Sequence, residues 1–401
     1  MSVKPESVAA IGSAPPARPP IWNDPTYRAL FFQLVVLVVL VLLATSLVNN
    51  TLANLERQGI ASGFGFLERT AGFSIGESLI DYKEEDSYGR TFLVGLLNTM
   101  WVSAWGIVFA TILGFIIGVA RLSPNWLISK LAMVYIEILR NIPLLLQIFF
   151  WYFAVLRPLP SPRQAISVSD ALFLTNRGLH FPRGVPEEGW GLVLWAFVAG
   201  VVAAIAIAIW AHKRQDRTGE QFPVLWTSLG LIIGVPVITF LVLGLPMHLE
   251  YPELKGFNFA GGSTLTPEFS SLLLALSLYT AAFIAENVRA GIQAVSHGQT
   301  EAAYALGLRA GPTLRLVIIP QALRVIIPPL TSQYLNLTKN SSLAAAIAYP
   351  DLVLVFAGTA LMQTGQAVEI IVITMGVYLT LSLLISAFMN WYNAKMALVE
   401  R

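Results

Sequence analysis

Charged side chains interrupt three stretches of sequence that are otherwise apolar: Glu137 and Arg140 in one, Glu286 and Arg289 in another, and Lys339 with Asn340, Ser341 and Ser342 in a third. An ionised group among lipid-soluble residues is costly, so it faces a cavity or a partner. Glu137 and Arg140 are three residues apart, as are Glu286 and Arg289, which puts each pair on one face of a helix. Two readings follow. Each pair is a self-neutralising bridge whose charges exist to satisfy one another, or the pairs supply the anion and cation that a small zwitterion needs at fixed separation. In the second reading the planar Arg fork takes a carboxylate and Glu takes an ammonium. The polar run 338–342 has no place on a lipid-facing helix and turns toward a bundle interior or a water path.

A different chemistry is written in the connector Ser296-His297-Gly298-Gln299-Thr300-Glu301-Ala302-Ala303-Tyr304-Ala305-Leu306-Gly307-Leu308-Arg309-Ala310-Gly311-Pro312. Ser296 with Gln299, or Thr300 itself, is placed to cap a helix. Good helix formers run through Leu308, and Gly311-Pro312 reads as the stop. Ala302, Ala303, Ala305 and Gly307 leave little side-chain bulk, so a partner's groove can approach the backbone while Tyr304, Leu306 and Leu308 anchor it. The competing reading is a hairpin connector packed on its own bundle, where small residues are also common.

These residues need elements to carry them, and composition says which. Of 401 residues 56% are apolar and 12% charged, with 25 basic and 23 acidic side chains; a soluble chain of this length would carry roughly 100 charges. A water-covered surface cannot be built from so few. Since a span takes about 20 apolar residues, eight are expected, over 30–48, 92–120, 127–156, 190–211, 224–245, 269–292, 325–347 and 370–391. The runs holding Glu137 and Lys339 are the ones expected to bend or break, near Pro143, Pro320, Pro328 and Pro329. The aromatic string 149–153 reads as an interfacial belt. Lys and Arg in short loops place both termini in the cytoplasm, with the acidic 49–91 stretch outside as a short helix or two. The outside loop 157–189 runs against this rule with four Arg, offset in part by Glu187, Glu188 and Asp170.

The string Glu301-Ala302-Ala303, then Gly307, Ile318 and Pro320, followed by Gln321-Ala322-Leu323-Arg324, resembles the EAA loop of permease subunits of bacterial ABC importers, especially the polar amino acid permeases. Upstream, Glu286-Asn287-Val288-Arg289-Ala290-Gly291-Ile292 resembles the segment entering that loop. Downstream, Thr338-Lys339-Asn340-Ser341-Ser342-Leu343 resembles the family's next helix. Arg140-Asn141-Ile142-Pro143-Leu144-Leu145-Leu146-Gln147 resembles its RGTPLLVQ segment, with Asn141 where Gly is usual. Four motifs stand in order over 92–156 and 269–391. The remainder looks like insertions, similar to the larger permeases of general L-amino-acid importers, in which two different permeases pair.

The resemblance implies an all-α polytopic membrane protein, a type I ABC importer transmembrane domain with about eight helices, in the bacterial inner membrane. Its organisation would be a disordered tail 1–27, a first helix 28–48, a periplasmic segment 49–91, a permease core 92–156, an insertion 157–268 with two extra helices, a second core part 269–392 with the loop 293–324, and a cytoplasmic end 393–401. It implies that Glu301, Ala302, Ala303, Tyr304, Leu306, Gly307, Leu308 and Arg309 couple to two ATPase subunits. A periplasmic amino-acid-binding protein and a second homologous permease complete the assembly. Glu137, Arg140, Glu286, Arg289, Lys339, Asn340, Ser341 and Ser342 would line the substrate path, with ATP and Mg held by the ATPase and no cofactor on this chain. The residues agree independently: none of the seven lysines precedes Ser or Thr, so there is no Walker A motif. His180, His212, His248 and His297 form no metal signature, and the net charge of +2 does not argue for nucleic acid. An ion-coupled secondary transporter is the alternative; it predicts a pseudo-symmetric repeat, and no matching pair of motifs occurs.

Overall fold

Each expected span is helical in the computed structural model, which describes residues 25–57, 63–169 and 171–396. Helix α1 (Pro25–Arg57) is longer than expected at both ends. It begins on a proline, whose missing N–H costs nothing at a helix start, and it takes in part of the segment expected to be external. The tail expected over 1–27 lies otherwise outside the described residues. Helix α2 (Tyr88–Arg121) is capped by Ser87, whose side chain accepts from the Arg90 N–H.

The third span breaks, as its charges suggested. Helix α3 (Trp126–Asn141) and α4 (Leu144–Leu156) meet at 106°. Ile142 is extended before Pro143, as the steric demand of a following proline requires. Gln147 donates to the Leu139 and Ile142 carbonyls at 2.9 Å each, so carbonyls freed at the break have a partner at membrane depth. The span holding Lys339 does not break. Helix α9 (Ala310–Ile347) stays continuous, changing to a π-turn at Leu314–Ile318 and tightening to 3-10 geometry at Ser341–Ile347.

Helices α5 (Trp190–Thr218) and α6 (Val224–Val242) form a separate hairpin. Helix α7 (Pro267–Gln293) follows, capped by Thr266, then α8 (His297–Ala305), α9, the short α10 (Val353–Thr364) and α11 (Ala367–Met396). The core is the crossing of α2 on α7. Gly106, Ala110, Gly114 and Gly118 fall every fourth residue along α2 and are buried, so the helix backbones approach closely. A Cβ on Gly118 would lie 2.7 Å from the Ala285 carbonyl oxygen.

Outside the bilayer the chain is less helical than expected. In the 63–87 segment the only helix is the 3-10 turn Phe64–Glu68. Phe66 and Ala71 pack with Tyr88 onto Leu352, Phe356, Ala360 and Ile370, a strap over α10 and the top of α11. Residues 157–268 also hold eight short strands: a four-stranded sheet ordered β1 (Ile166–Ser169), β2 (Leu172–Thr175), β3 (Gly178–Phe181), β8 (Ser263–Leu265), and the pairs β4 (Arg183–Pro186) with β5 (Met247–Glu250) and β6 (Glu253–Lys255) with β7 (Asn258–Ala260). At three or four residues apiece, they are too short to show alternation in sequence. His180 is buried in this cap, with Nδ1 2.9 Å from the Thr264 hydroxyl and its ring 4.7 Å from that of Phe259. Burial lowers its pKa below the usual histidine value.

Candidate functional site

Helix α8 is short and exposed. It ends at Ala305 rather than Leu308, because Gly307 takes a left-handed φ of 79°, a conformation other residues rarely adopt. Ser296 occupies the N-cap position but makes no side-chain cap bond, so the expected capping box is not formed. Gly311 and Pro312 do not stop this helix; they lie in the first turn of α9, where proline is tolerated. Ala303 is buried against the bundle, while Tyr304 and Leu306 are 51% and 82% exposed. Leu308 is half-buried; Glu301, Ala302, Gly307 and Arg309 are exposed, and Glu301 Oε1 sits 3.1 Å from His297 Nδ1. Gln321 Nε2 donates to Gln299 Oε1 at 3.2 Å, tying α8 to α9.

The two charge pairs behave differently. Arg289 grips Glu286 through Nε, at 3.1 and 3.0 Å to its two carboxylate oxygens, and through Nη2. Arg140 and Arg121 add attraction to the same carboxylate. Glu137 and Arg140 form no bridge, contrary to their spacing. Arg140 lies over the Phe283 ring at 5.3 Å, and Glu137 Oε2 is 3.5 Å from the Asn141 amide nitrogen, whose main bond is to the Glu137 carbonyl. An extended Arg side chain gains more on an aromatic face of the neighbouring helix than beside an exposed carboxylate.

Lys339 and Ser342 line a cavity of about 520 Å³ between α9 and α11, with Val353, Thr374, Met375, Tyr378, Leu379 and Ser382. Ser341 is buried and donates to the Thr338 carbonyl at 2.8 Å, and Asn340 is half-buried. Neither Glu286 nor Arg289 borders this cavity; the residues expected along the substrate path fall into two groups, one here and one on the α3–α7 side. Thr374, Tyr378 and Ser382 on the α11 wall are absent from the residues expected along the path, although their spacing of four sets them on one helix face.

Over residues 200–398 the chain matches the family described as the binding-protein-dependent transport system inner membrane component. Along 94% of its length it is 56% identical to the general L-amino acid transport system permease protein AapQ of Rhizobium johnstonii, covering 94% of that protein. With the putative amino-acid ABC transporter permease YhdX of Escherichia coli it shares 57% identity over 94% of this chain and 96% of the relative. The chain belongs to the amino-acid ABC transporter permeases. The glutamate/glutamine/aspartate/asparagine transport system permease BztB of Rhodobacter capsulatus is 45% identical over 94% of the permease described here and 96% of its own length. The permease is therefore a multi-pass inner-membrane transport component, not an enzyme, and an ion-coupled carrier finds no support among these relatives.

A second cavity, of about 350 Å³, opens between the strap and the permease core, bordered by Glu77, Thr266, Glu268, Ala348 and Pro350 among others. The Thr266 hydroxyl donates to Glu77 at 2.5 Å, and Tyr152 donates to Glu268 at 2.7 Å. Burial pushes the Glu77 carboxyl above the usual carboxylate range, against the Thr266 hydrogen bond and with help from the Glu268 charge. Asn98 bridges the Glu77 and Pro350 carbonyls at 2.9 Å each, fixing strap to core. Two of the four Arg of the 157–189 loop lie over aromatic faces, Arg163 on Phe257 at 4.4 Å and Arg157 on Tyr152 at 5.5 Å.

Proposed function

We propose that this chain forms, with a second homologous permease, the path by which L-amino acids delivered by a periplasmic binding protein cross the inner membrane, driven by two ATPase subunits that hold ATP and Mg. Both termini, α8 and the α5–α6 turn face the cytoplasm; the strap and the β-cap face the periplasm. Residues 92–156 and 269–392 are the permease core, while α1, the segment 49–91 and residues 157–268 are additions to it. The observation that carries the reading is α8: a two-turn helix on the bundle surface with Tyr304 and Leu306 exposed, bounded by a left-handed glycine and tied to α9 by the Gln321–Gln299 hydrogen bond. An apolar pair displayed in water beside small residues is what a groove on an ATPase needs. Glu301, Ala302, Ala303, Tyr304, Leu306, Gly307, Leu308 and Arg309 make up that coupling surface.

The substrate path runs past Lys339, Asn340, Ser341 and Ser342, with Glu137, Arg140, Glu286 and Arg289 nearer the α3–α7 side. Lys339 is a cation without a carboxylate partner among the described residues, which suits the substrate carboxylate. The test is Leu306→Ala with Tyr304→Ala: uptake by the reconstituted importer should fall by about tenfold or more, since hot-spot side chains each cost upwards of about 1 kcal/mol, with the permease still in the membrane and less ATPase co-purifying. Full uptake with normal ATPase recovery would refute the docking assignment.

A further inference from the structure

The cavity between the strap and the permease core is bordered by two carboxylates from different elements, Glu77 of the strap and Glu268 in the first turn of α7. Each has one oxygen tied and one open. Glu77 Oε2 accepts the Thr266 hydroxyl at 2.5 Å and Glu268 Oε1 accepts the Tyr152 hydroxyl at 2.7 Å. The second oxygen of each has no hydrogen-bond partner among the described residues and is not sealed from water. A helix start favours Glu268, but nothing in the fold asks for a charge at Glu77: a glutamine carbonyl would accept from Thr266 equally well. The two charges oppose one another, and neither is in an ion pair among the described residues; the guanidinium of Arg157 lies over the Tyr152 ring instead. Among the described residues no lysine or arginine borders the cavity, whose apolar walls include Phe73, Ile75, Leu354 and Val355. Asn98 pins strap to core through the Glu77 and Pro350 carbonyls, so the cavity is built into the resting structure.

We propose that this cavity is an entry subsite that holds the ammonium group of the arriving amino acid between the open oxygens of Glu77 and Glu268. An ammonium brings three donors and one positive charge. Two carboxylate oxygens in a half-enclosed place take two of those donors as charge-assisted bonds, and the cation between them offsets their mutual repulsion. The volume of about 350 Å³ is at the lower end of the range for small-ligand pockets. The apolar walls receive the side chain, while the substrate carboxylate finds no cation here and points away from the pair. Its cation lies across α10, whose Leu354, Val355 and Thr359 border this cavity and whose Val353 borders that of Lys339. The amine is thus recognised first, on the strap side, and the carboxylate second, within the bundle. This rests on the reading above that amino acids enter from the side of the strap.

The experiment is uptake by the complete importer in proteoliposomes with amino-acid-loaded binding protein on the strap side. It is read alone, with ethylamine, which has the amine without the carboxylate, and with propionate, which has the carboxylate without the amine. Ethylamine should inhibit the wild type and propionate should not. Glu77→Gln and Glu268→Gln each keep the acceptor for Thr266 or Tyr152 and remove a charge, so both should assemble with ATPase at normal yield. Each should slow uptake and raise the ethylamine concentration for half-inhibition about tenfold or more, the range for losing a hydrogen bond to a charged group. Affinity of the binding protein for the importer should not change. Wild-type uptake that ignores ethylamine, or unchanged uptake and ethylamine sensitivity in both variants, overturns the subsite while leaving the permease reading in place. Weakened binding-protein affinity in the variants assigns the cavity to a basic side chain of that protein and overturns the subsite as well. Absence of amino acid uptake by the wild-type importer overturns the permease reading and the subsite with it.

Discussion

Two sets of helices in this permease are both apolar enough to cross a membrane and have opposite surroundings. In the most apolar window of α7, 61% of residues are buried within the chain, and in α2 33%; in α5 the figure is 17%, in α6 6%, and in α1 none. Mean hydropathy runs the other way: 1.6 for α7 against 2.8 for α1 and α5. The most buried of these helices is the least apolar of them. In lipid there is no hydrophobic drive to hide a greasy helix, so what places a helix in the interior is small residues that permit close approach and polar groups that need partners. Helix α7 has Ser271, Ser277 and Thr280 buried and a glycine stripe to pack on, whereas α1 offers Leu, Val and Phe all round and remains exposed.

That contrast is tested most severely by glycine. Gly114→Leu would drive a side chain into Ile284 and within reach of the Ala281 carbonyl; overpacking of this kind costs about 1–3 kcal/mol or more, and the yield of monodisperse permease after detergent extraction should drop sharply. Gly230→Leu in α6, where a Cβ meets nothing within 4 Å, should leave that yield unchanged. Equal losses at both positions would erase the distinction between the buried core and the exposed hairpin.

A smaller effect is expected at the charge pair. Removing Glu286 leaves Arg289 with Gln293 but without its carboxylate, and Arg140 without an attracting one. The group is partly exposed, so a stability loss of about 1 kcal/mol is expected, and Glu137→Ala, which breaks no bridge, should cost less. Thermal unfolding of the two purified variants orders them.

The smallest effect belongs to the β-cap, which is outside the bilayer and unlike either helix set. Because burial lowers the His180 pKa, the folded cap takes up a proton less readily than the unfolded chain. Cap stability is then independent of pH above about 6.5 and falls as pH drops from there toward the lowered folded value. Protection factors of the 171–181 amides, taken against intrinsic exchange at each pH, should fall below that pH in the wild type and stay level in His180→Phe. Protection factors in α2 should not respond.

The number and order of spans were legible because about 20 consecutive apolar residues leave few alternatives in a membrane, and Glu137, Arg140 and Pro143 together marked the one sharp bend. The EAA string was legible as a short exposed helix, though its end was not: the stop was set by the backbone of Gly307, while Gly311-Pro312 opened the next helix. Charge spacing allowed two bridges, of which one formed, since position i, i+3 brings two groups near without deciding whether a neighbouring helix offers either something better. Glu77 and Glu268 carried no signal, being single acidic residues in separate segments of the chain, brought to one cavity only where the strap meets the start of α7.

Sequence by itself therefore determined what this protein is made of: helices long and apolar enough to require lipid, their order, and a connector built to be touched. Tertiary structure decided which helices keep company. Hydropathy measures the exchange of water for lipid, and every span has already gained that; the choice of neighbour depends on backbone approach, on where a carbonyl or carboxylate finds a donor, and on cavities that exist only between elements.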